Sequence, residues 1–325
     1  MKNVLICGYG SIGKQYYRSL SQETNFNLSV LTKQDLNLTN VYKMGELPLN
    51  KYFDLVIIAN QTKDHIPTFL NLINNSNTFF FEKPLTSSTE NARHSLNDLL
   101  SRDIFVSAPL RFRSGYAYLL NNFKSIKNEI LKVEISCLSW LPNWRPGRDH
   151  QKGYWADPEQ GGVLRDLIHE FDYILSIFGA PTKISGETKS NRLLGNEKVE
   201  TFTSTKLIYE TFEVIITLDY FSKVEKRCAK IYFTDGGYLK WNVLADKISW
   251  HNSKSNFSEE EIYTSHRKIS YLTEQVTSVF SNEFKPPSLL EAINNLVVID
   301  AARACNKRKS FEFLCINNSG IWEYS

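Results

Sequence analysis

The sequence predicts an α/β protein in which an N-terminal doubly wound parallel sheet is followed by an α+β domain with an open, mostly antiparallel sheet. The chain has 325 residues, which at roughly 150 residues per domain suggests two domains. In the first third, short apolar runs alternate with helical patterns, an arrangement that needs crossover connections and therefore a parallel sheet. Beyond about residue 112, period-two alternation indicates strands with one covered face.

The first domain is predicted over residues 1–112. Its strand-like runs are Asn3 to Cys7, Asn27 to Leu31, Phe53 to Ala59, Thr78 to Phe81 and Ile104 to Ala108. Between the last two, Ser87 and Glu90 have the spacing of a capping box, which predicts the start of a helix.

The second domain is predicted over residues 113–325. Its alternating runs are Leu131 to Ser139, Phe212 to Tyr220, Lys230 to Thr234 and Tyr238 to Val243, and its two helices are Val163 to Phe178 and Leu289 to Ala304. Ser288 and Glu291 form a capping box for the second helix, which we expect to pack back on the first domain. The polar stretch from about His251 to His266 predicts a loop.

Composition narrows the class of partner. There are 38 Lys and Arg against 35 Asp and Glu, a net charge of +3, and 42% of residues are hydrophobic. This balance argues against disorder and against a nucleic-acid binder driven by bulk charge. No apolar run approaches the roughly 18 residues of a membrane span, and the start leaves no room for a signal peptide. The five cysteines are widely spaced among apolar neighbours, which predicts reduced core residues, no metal site and a cytoplasmic location.

Three glycines lie where the first strand ends and a helix opens: Gly8, Gly10 and Gly13. In that context the spacing is typical of a Rossmann dinucleotide site. The glycines permit a tight turn, close approach of a pyrophosphate and helix packing, and the helix N-terminus attracts the anion. Ser11 and Ile12 complete the predicted phosphate turn. The alternative is an ordinary glycine-rich turn.

The remaining cofactor contacts are expected at the carboxyl ends of later strands. An acid that would bind the ribose of NAD is missing after the second strand, where Thr32 and Lys33 stand instead. A hydroxyl followed by a cation favours the 2′-phosphate of NADP over NAD, and the alternative is that Lys33 is simply solvated. The other predicted contacts are Asn60, Glu82 and Lys83. Lys83 would emerge where a nicotinamide lies, the alternative being a salt-bridged turn.

The predicted helix from Val163 to Phe178 carries an apolar stripe, and its opposite face presents Asp166, His169 and Tyr173 without any lysine. Asp166 and His169 are three residues apart and within reach of one another, which suggests an oriented acid/base pair. The alternative is an amphipathic helix with a solvated polar face.

The segment Leu141 to Gln160 is predicted to supply the side chains that bind the substrate, above all Trp144, Arg145 and Tyr154. Aromatic faces stack on sugar rings and arginines bind phosphate or carboxylate, so the segment suits a sugar, including a nucleotide-linked or acidic one. The alternative is a surface loop. Arg111, just after the fifth strand, is interpreted first as a salt-bridge residue at the domain boundary.

Together the motifs resemble the glucose-fructose oxidoreductase, inositol dehydrogenase and rhizopine catabolism (Gfo/Idh/MocA) family. They are Gly8-Tyr9-Gly10-Ser11-Ile12-Gly13, Glu82-Lys83-Pro84 and the run from Gly161 to Asp172. Trp144-Arg145-Pro146-Gly147 with Tyr154 resembles a branch associated with surface-polysaccharide synthesis.

The resemblance implies a Rossmann domain plus an α/β domain whose open sheet makes a homo-oligomer, and an NAD(P)-dependent oxidoreductase acting on a sugar. By it, Lys83 contacts the substrate hydroxyl and the nicotinamide, while Asp166 and His169 lie near the substrate. His169 is the first candidate for acid/base and Lys83 for polarising the oxygen, with the roles exchangeable. Two other functions remain open: a dinucleotide-binding regulator or scaffold without turnover, and an oxidoreductase on a non-sugar substrate.

Two departures from the family pattern bear on these assignments. Gln15-Tyr16 replaces an Arg-His pair common in relatives. The spacing from Asp166 to His169 is also one residue shorter than in many of them.

Overall fold

The structure is a computed structural model that describes residues 1–48, 50–123, 129–144, 147, 149–251, 260–264, 270–281 and 284–324, with the backbone alone at 123, 260–264 and 312–316. The chain divides into two compact units, Met1–Pro109 with Lys268–Ile293, and Leu110–Arg267 with Asn294–Ser325. The first division lies three residues before the predicted boundary, and residues 268–293 return to the first unit.

The first unit contains a six-stranded parallel sheet in the order β3-β2-β1-β4-β5-β6. The strands are β1 (Lys2–Cys7), β2 (Phe26–Leu31), β3 (Val41–Tyr42), β4 (Leu55–Ile58), β5 (Thr78–Phe81) and β6 (Asp103–Val106). The five predicted strands are present, and β3 was missed because it has only two residues. The strand order reverses between β1 and β4, the position where open α/β sheets bind ligands at the carboxyl ends of their strands.

The second unit contains a ten-stranded sheet in the order β14-β13-β12-β11-β7-β10-β9-β8-β15-β16. Its strands are β7 (Ile130–Trp140), β8 (Lys183–Lys189), β9 (Phe202–Ile208), β10 (Glu213–Asp219), β11 (Phe221–Phe233), β12 (Tyr238–Asn242), β13 (Lys247–His251), β14 (Glu260–Thr264), β15 (Ser310–Ile316) and β16 (Trp322–Tyr324). The neighbours β7 and β10 are parallel and the other pairs are antiparallel. The predicted fold class is confirmed.

Several strands of this sheet differ from the prediction. Strand β14 lies inside the segment that was predicted to be a loop, and that prediction is wrong. Strands β8, β9, β13, β15 and β16 were not predicted. Strand β11 begins at Phe221, well before the predicted run, because its first half is exposed and polar and therefore shows no alternation.

Nine α-helices complete the described part of the chain. They are α1 (Ser11–Leu20), α2 (His65–Leu72), α3 (Thr89–His94), α4 (Leu96–Leu100), α5 (Ser114–Phe123), α6 (Val163–Asp166), α7 (His169–Phe178), α8 (Tyr271–Val279) and α9 (Leu289–Ala304). The capping box of α9 is confirmed, since the Glu291 carboxylate accepts the Ser288 N–H at 2.9 Å and Ser288 Oγ accepts the Glu291 N–H at 3.4 Å.

Two helix predictions need correction. The N-cap of α3 is Ser88, whose hydroxyl accepts the Asn91 N–H at 3.2 Å, and not the predicted Ser87. The predicted helix over Val163 to Phe178 is interrupted at Leu167, where φ is −103° and ψ is 28°, so that α6 and α7 are separate. The apolar stripe continues across the break, which is why periodicity alone could not reveal it.

Among the helices of the described ranges, none has the length and apolar character needed to span a membrane. Cys7, Cys137, Cys228 and Cys305 are buried and free, as predicted for reduced core residues. The side chain of Cys315 lies outside the description.

Candidate active site

The glycine-rich turn joins β1 to α1 at the reversal of the strand order. Gly8 has φ +95°, and a Cβ there would lie 2.8 Å from the backbone nitrogen of Asn60. A Cβ on Gly13 would lie 2.0 Å from the carbonyl oxygen of Gly8. At Gly10, by contrast, φ is −76° and a Cβ would meet nothing within 4 Å. The fold therefore requires glycine at positions 8 and 13, whereas position 10 borders open space.

The head of α1 fits the pyrophosphate of a dinucleotide. The helix begins at Ser11, and Gly10 is its N-cap. The first N–H groups of a helix have no intrahelical acceptor and carry the positive end of the dipole. Ser11, Ile12 and Gly13 present these groups beside the open space at Gly10, so the turn could hold an anionic group.

The loop after β2 is braced by a residue that sequence reasoning missed. Lys43 donates from Nζ to the carbonyl oxygens of Lys33 at 3.1 Å and Gln34 at 2.8 Å, and it pairs with Asp35 at 2.7 Å. This hydrogen bond and the charge of Lys43 lower the pKa of Asp35. Thr32 Oγ1 accepts the Gln34 N–H at 3.2 Å. Lys43 follows the two-residue strand β3, too short to give a signal.

The other predicted cofactor residues of this unit lie at the carboxyl ends of β4 and β5. Asn60 is half-buried and donates from Nδ2 to Thr68 Oγ1 at 2.7 Å. Glu82 is buried, with its carboxylate bound by the Tyr16 hydroxyl, and Lys83 next to it is partly exposed. Lys83 thus lies just past the carboxyl end of β5, while the Glu82 side chain points into the unit. The contact of Lys83 with a nicotinamide stays a prediction.

In the second unit, the Asp166 carboxylate is held by two tyrosines. Tyr154 donates to Oδ1 at 2.8 Å and Tyr220 donates to Oδ2 at 3.2 Å. Burial first, then the charge of Asp166, raises the pKa of Tyr220, so the phenol keeps its proton and remains a donor. Sequence reasoning missed Tyr220, which directly follows β10 and had no motif around it.

His169 is the first residue of α7 and is partly exposed, between acidic neighbours that are buried. Glu170 pairs with Arg227, whose Nε lies 2.7 Å from Glu170 Oε1. The Asp172 carboxylate accepts hydrogen bonds from both Nε and Nη2 of Arg111 at 2.8 Å. These pairs fix the first turn of α7, because a buried charge without its partner would be strongly destabilising. The salt-bridge interpretation of Arg111 is confirmed, and the acidic side chains of this turn do not form a solvated face.

Two aromatic side chains that contact Asp166 or its partner Tyr220 remain accessible. Trp144 is 37% exposed and Tyr154 is 38% exposed. The Trp144 ring meets Tyr220 edge-on at a centroid distance of 5.4 Å. Trp144, Tyr154, Asp166 and Tyr220 thus form one cluster within the second unit. The predicted Arg145 lies outside the described residues.

The double glycine before α6 allows this cluster to form. A Cβ on Gly161 would lie 2.4 Å from the carbonyl oxygen of Tyr154. A Cβ on Gly162, where φ is +94°, would lie 2.3 Å from the Glu200 carboxylate. Gly161 therefore lets the Tyr154 segment approach the start of α6, and Gly162 leaves room for the Glu200 carboxylate. In the part of the chain that the structure describes, no three His, Cys, Asp or Glu side chains cluster so as to hold a metal ion.

Sequence comparison finds distant relatives, one named as an oxidoreductase and one as a hydratase. No protein-family model matches the chain. The uncharacterized oxidoreductase YhhX of Escherichia coli is 21% identical over 195 residues, which cover 60% of this chain and 55% of that protein. The 2,7-anhydro-N-acetylneuraminate hydratase of Escherichia coli is 22% identical over 189 residues, covering 55% of this chain and 50% of that protein. The chain thus spans about half the length of these relatives.

Solved structures match over nearly the whole chain. Aldose-aldose oxidoreductase from Caulobacter crescentus has a TM-score of 0.79 at 12% identity, covering 96% of this chain and 99% of that one. UDP-N-acetylglucosamine 3-dehydrogenase from Acidithiobacillus ferrooxidans has a TM-score of 0.72 at 13% identity, covering 93% and 97%. An NAD⁺-bound oxidoreductase from Agrobacterium radiobacter has a TM-score of 0.76 at 15% identity, covering 96% and 98%. The chain has the fold of the Gfo/Idh/MocA-type oxidoreductases, which confirms the resemblance seen in the motifs.

Proposed function

We propose that this protein is an NAD(P)-dependent oxidoreductase that transfers a hydride between nicotinamide and a carbinol or carbonyl carbon of a sugar. The observation that carries the proposal is the glycine turn at the head of α1, with open space at Gly10 and Lys83 at the same edge of the sheet. Similar folds that act on aldoses and on UDP-N-acetylglucosamine support a sugar substrate. A nucleotide-linked or acidic sugar of polysaccharide biosynthesis is the form we favour.

Each proposed catalytic residue has one task. Bound nicotinamide supplies or accepts the hydride. Lys83 polarises the substrate oxygen and relays a proton, and His169 acts as the acid/base. Asp166 assists by its fixed negative charge, because Tyr154 and Tyr220 hold its carboxylate in place.

NADP is the favoured dinucleotide. Lys43 neutralises Asp35 at the loop after β2, which leaves the exposed cation of Lys33 beside the Thr32 hydroxyl. A 2′-phosphate would find a cation and a hydroxyl there, whereas the ribose hydroxyls of NAD would find no carboxylate at Thr32 or Lys33.

The direct test of the function is a substrate panel. Purified protein is incubated with NADP⁺ or NAD⁺ and with myo-inositol, glucose, UDP-N-acetylglucosamine or 2,7-anhydro-N-acetylneuraminate, and the absorbance of reduced nicotinamide is followed. We expect turnover of at least one member. Dinucleotide binding without turnover of any member would favour the regulator or scaffold instead.

The aromatic cluster of the second unit is proposed to bind the sugar ring. We expect Tyr154→Phe to weaken substrate binding roughly tenfold, because the Asp166 carboxylate loses a donor that holds it in place, and the phenol that would face the sugar loses its hydroxyl. Dinucleotide affinity should stay unchanged. Substrate KM and NADPH titration measure the two affinities, with Tyr118→Phe in α5 as the control. An equal loss of both affinities would contradict the assignment.

The proposed oligomer uses the large sheet of the second unit. Lys230, Tyr232 and Tyr238 lie on its partly exposed face, with the Lys230 ammonium 3.5 Å from the Tyr238 ring centroid. We expect light scattering to give a multiple of the 37.5 kDa chain mass. A single chain mass at micromolar concentration would contradict this.

The protein is proposed to work in the cytoplasm, in keeping with the free cysteines among its described residues.

A further inference from the structure

Glu82 holds a buried carboxylate directly before Lys83. Its side chain lies at the end of β5 and the residue is 9% exposed. Oε1 accepts the Tyr16 hydroxyl at 2.5 Å, and Oε2 accepts the backbone N–H of Lys83 at 3.2 Å. The carboxylate therefore links a side chain of α1 to the backbone of the residue that the proposed function places at the reacting centre.

A second layer of polar groups supports this link. Ser107 Oγ lies 3.4 Å from the Tyr16 hydroxyl. Gln275 Oε1, from α8, accepts the Ala108 N–H at 2.7 Å and lies 3.5 Å from Ser107 Oγ. A chain of polar contacts thus runs within the first unit from Glu82 through Tyr16 and Ser107 to Gln275.

The groups that act on Glu82 oppose one another. Burial raises its pKa, whereas the hydroxyl of Tyr16, the positive charge of Lys83, the hydroxyl of Ser107 and the Lys83 N–H lower it. A buried ionisable group is a costly way to stabilise a strand end, because an apolar residue of similar volume would avoid its desolvation. Its position next to Lys83 suggests a role in function.

We propose that Glu82 is a positioning residue for Lys83, that Tyr16 holds Glu82 in its ionised form, and that protonation of Glu82 loosens the backbone at Lys83. The ionised carboxylate accepts both the Tyr16 O–H and the Lys83 N–H. When it gains a proton it becomes a donor at one oxygen, so it can no longer serve both groups equally. The inference deepens the proposed function, on which the importance of Lys83 rests.

Nuclear magnetic resonance of protein labelled with ¹⁵N-lysine tests the link without any substrate. The Lys83 amide signal, assigned by its loss in Lys83→Arg, should move with pH as Glu82 titrates. This change in chemical shift with pH is a titration step, and its midpoint in the wild type should lie above the ordinary pKa range of glutamate. The step should disappear in Glu82→Gln. In Tyr16→Phe it should lie at higher pH still, because the carboxylate loses a donor that stabilises its ionised form.

The neighbouring Tyr17→Phe is the matched control and should leave the step in place. Should Tyr16→Phe fail to fold by its thermal transition, Ser107→Ala replaces it and should also move the step to higher pH. The proposal is overturned if the Lys83 amide shows no step, or if the step stays at the wild-type pH in the Tyr16 or Ser107 variant.

A kinetic readout separates this inference from the proposed function. With a panel substrate that is turned over, kcat is measured as a function of pH. In Tyr16→Phe the acid limb of this profile should move to higher pH together with the amide step, while KM changes less than about twofold. An acid limb that stays in place would overturn the positioning role. An intact amide response with no turnover of any panel member would reject the proposed function and leave the link between Tyr16, Glu82 and Lys83 standing.

Discussion

Lys83→Met and His169→Asn are each expected to lower the rate of hydride transfer at least about a hundredfold, or about 2.7 kcal/mol, while the protein still folds and binds dinucleotide. Both variants remove a group proposed to hold or move a proton in the transition state. Both side chains are partly exposed, so neither replacement removes a buried core side chain. Single-turnover absorbance of the reduced nicotinamide, with a panel substrate, measures the rate.

Matched controls separate these losses from a general effect of substitution. Lys307→Met and His94→Asn change exposed residues of the same types and should retain the wild-type rate. Asp166→Asn should lose less than the two catalytic variants, because the amide keeps one acceptor oxygen for the Tyr154 or Tyr220 hydroxyl. If Lys83→Met and His169→Asn both retain rates within a few fold of the wild-type rate, the catalytic assignment of Lys83 and His169 is wrong.

Gly10→Val is expected to abolish dinucleotide binding without unfolding the protein. The backbone there has φ −76°, which other residues adopt readily, and a Cβ meets nothing within 4 Å. The new side chain would fill the space that a pyrophosphate needs. Quenching of tryptophan fluorescence on titration with NADPH or NADH measures the affinity, and NADPH should bind more tightly in the wild type.

The other glycines of the turn provide a contrast. Gly13→Ala should destabilise the fold itself, because its Cβ would lie 2.0 Å from the Gly8 carbonyl oxygen. The midpoint temperature of thermal unfolding should therefore fall in Gly13→Ala and stay close to the wild-type value in Gly10→Val. Equal NADPH affinity in the wild type and Gly10→Val would remove the proposed cofactor site, whereas tighter binding of NADH would contradict only the choice of NADP.

The elements that the sequence predicts best are those whose requirement is local. Gly8 and Gly13 occupy positions where the backbone admits no side chain, and such positions leave a fixed spacing in the sequence. The capping box of Ser288 and Glu291 is equally local. Strands β4 and β5 are nearly continuous apolar runs, because both faces of a parallel sheet are covered.

The parts that could not be predicted depend on residues distant in the sequence. Tyr220 reaches Asp166 across 54 positions, and Tyr16 reaches Glu82 across 66. Neither contact leaves a periodic signal. The interruption at Leu167 leaves no periodic signal either, because the apolar stripe continues across it. The buried partners of α7 also come from distant segments. Arg227 and Arg111, for example, pair with the acidic residues of α7.

Transfer of deuterium from reduced dinucleotide labelled at C4 tests the central claim most directly. The protein is mixed with labelled NADPH and the carbonyl forms of the panel sugars, and the masses of the products are measured by mass spectrometry. We expect one deuterium on a carbinol carbon of a sugar product, with transfer lost in Lys83→Met and in Gly10→Val. A product without deuterium, or a label that appears equally with the Gly10 variant, would contradict it.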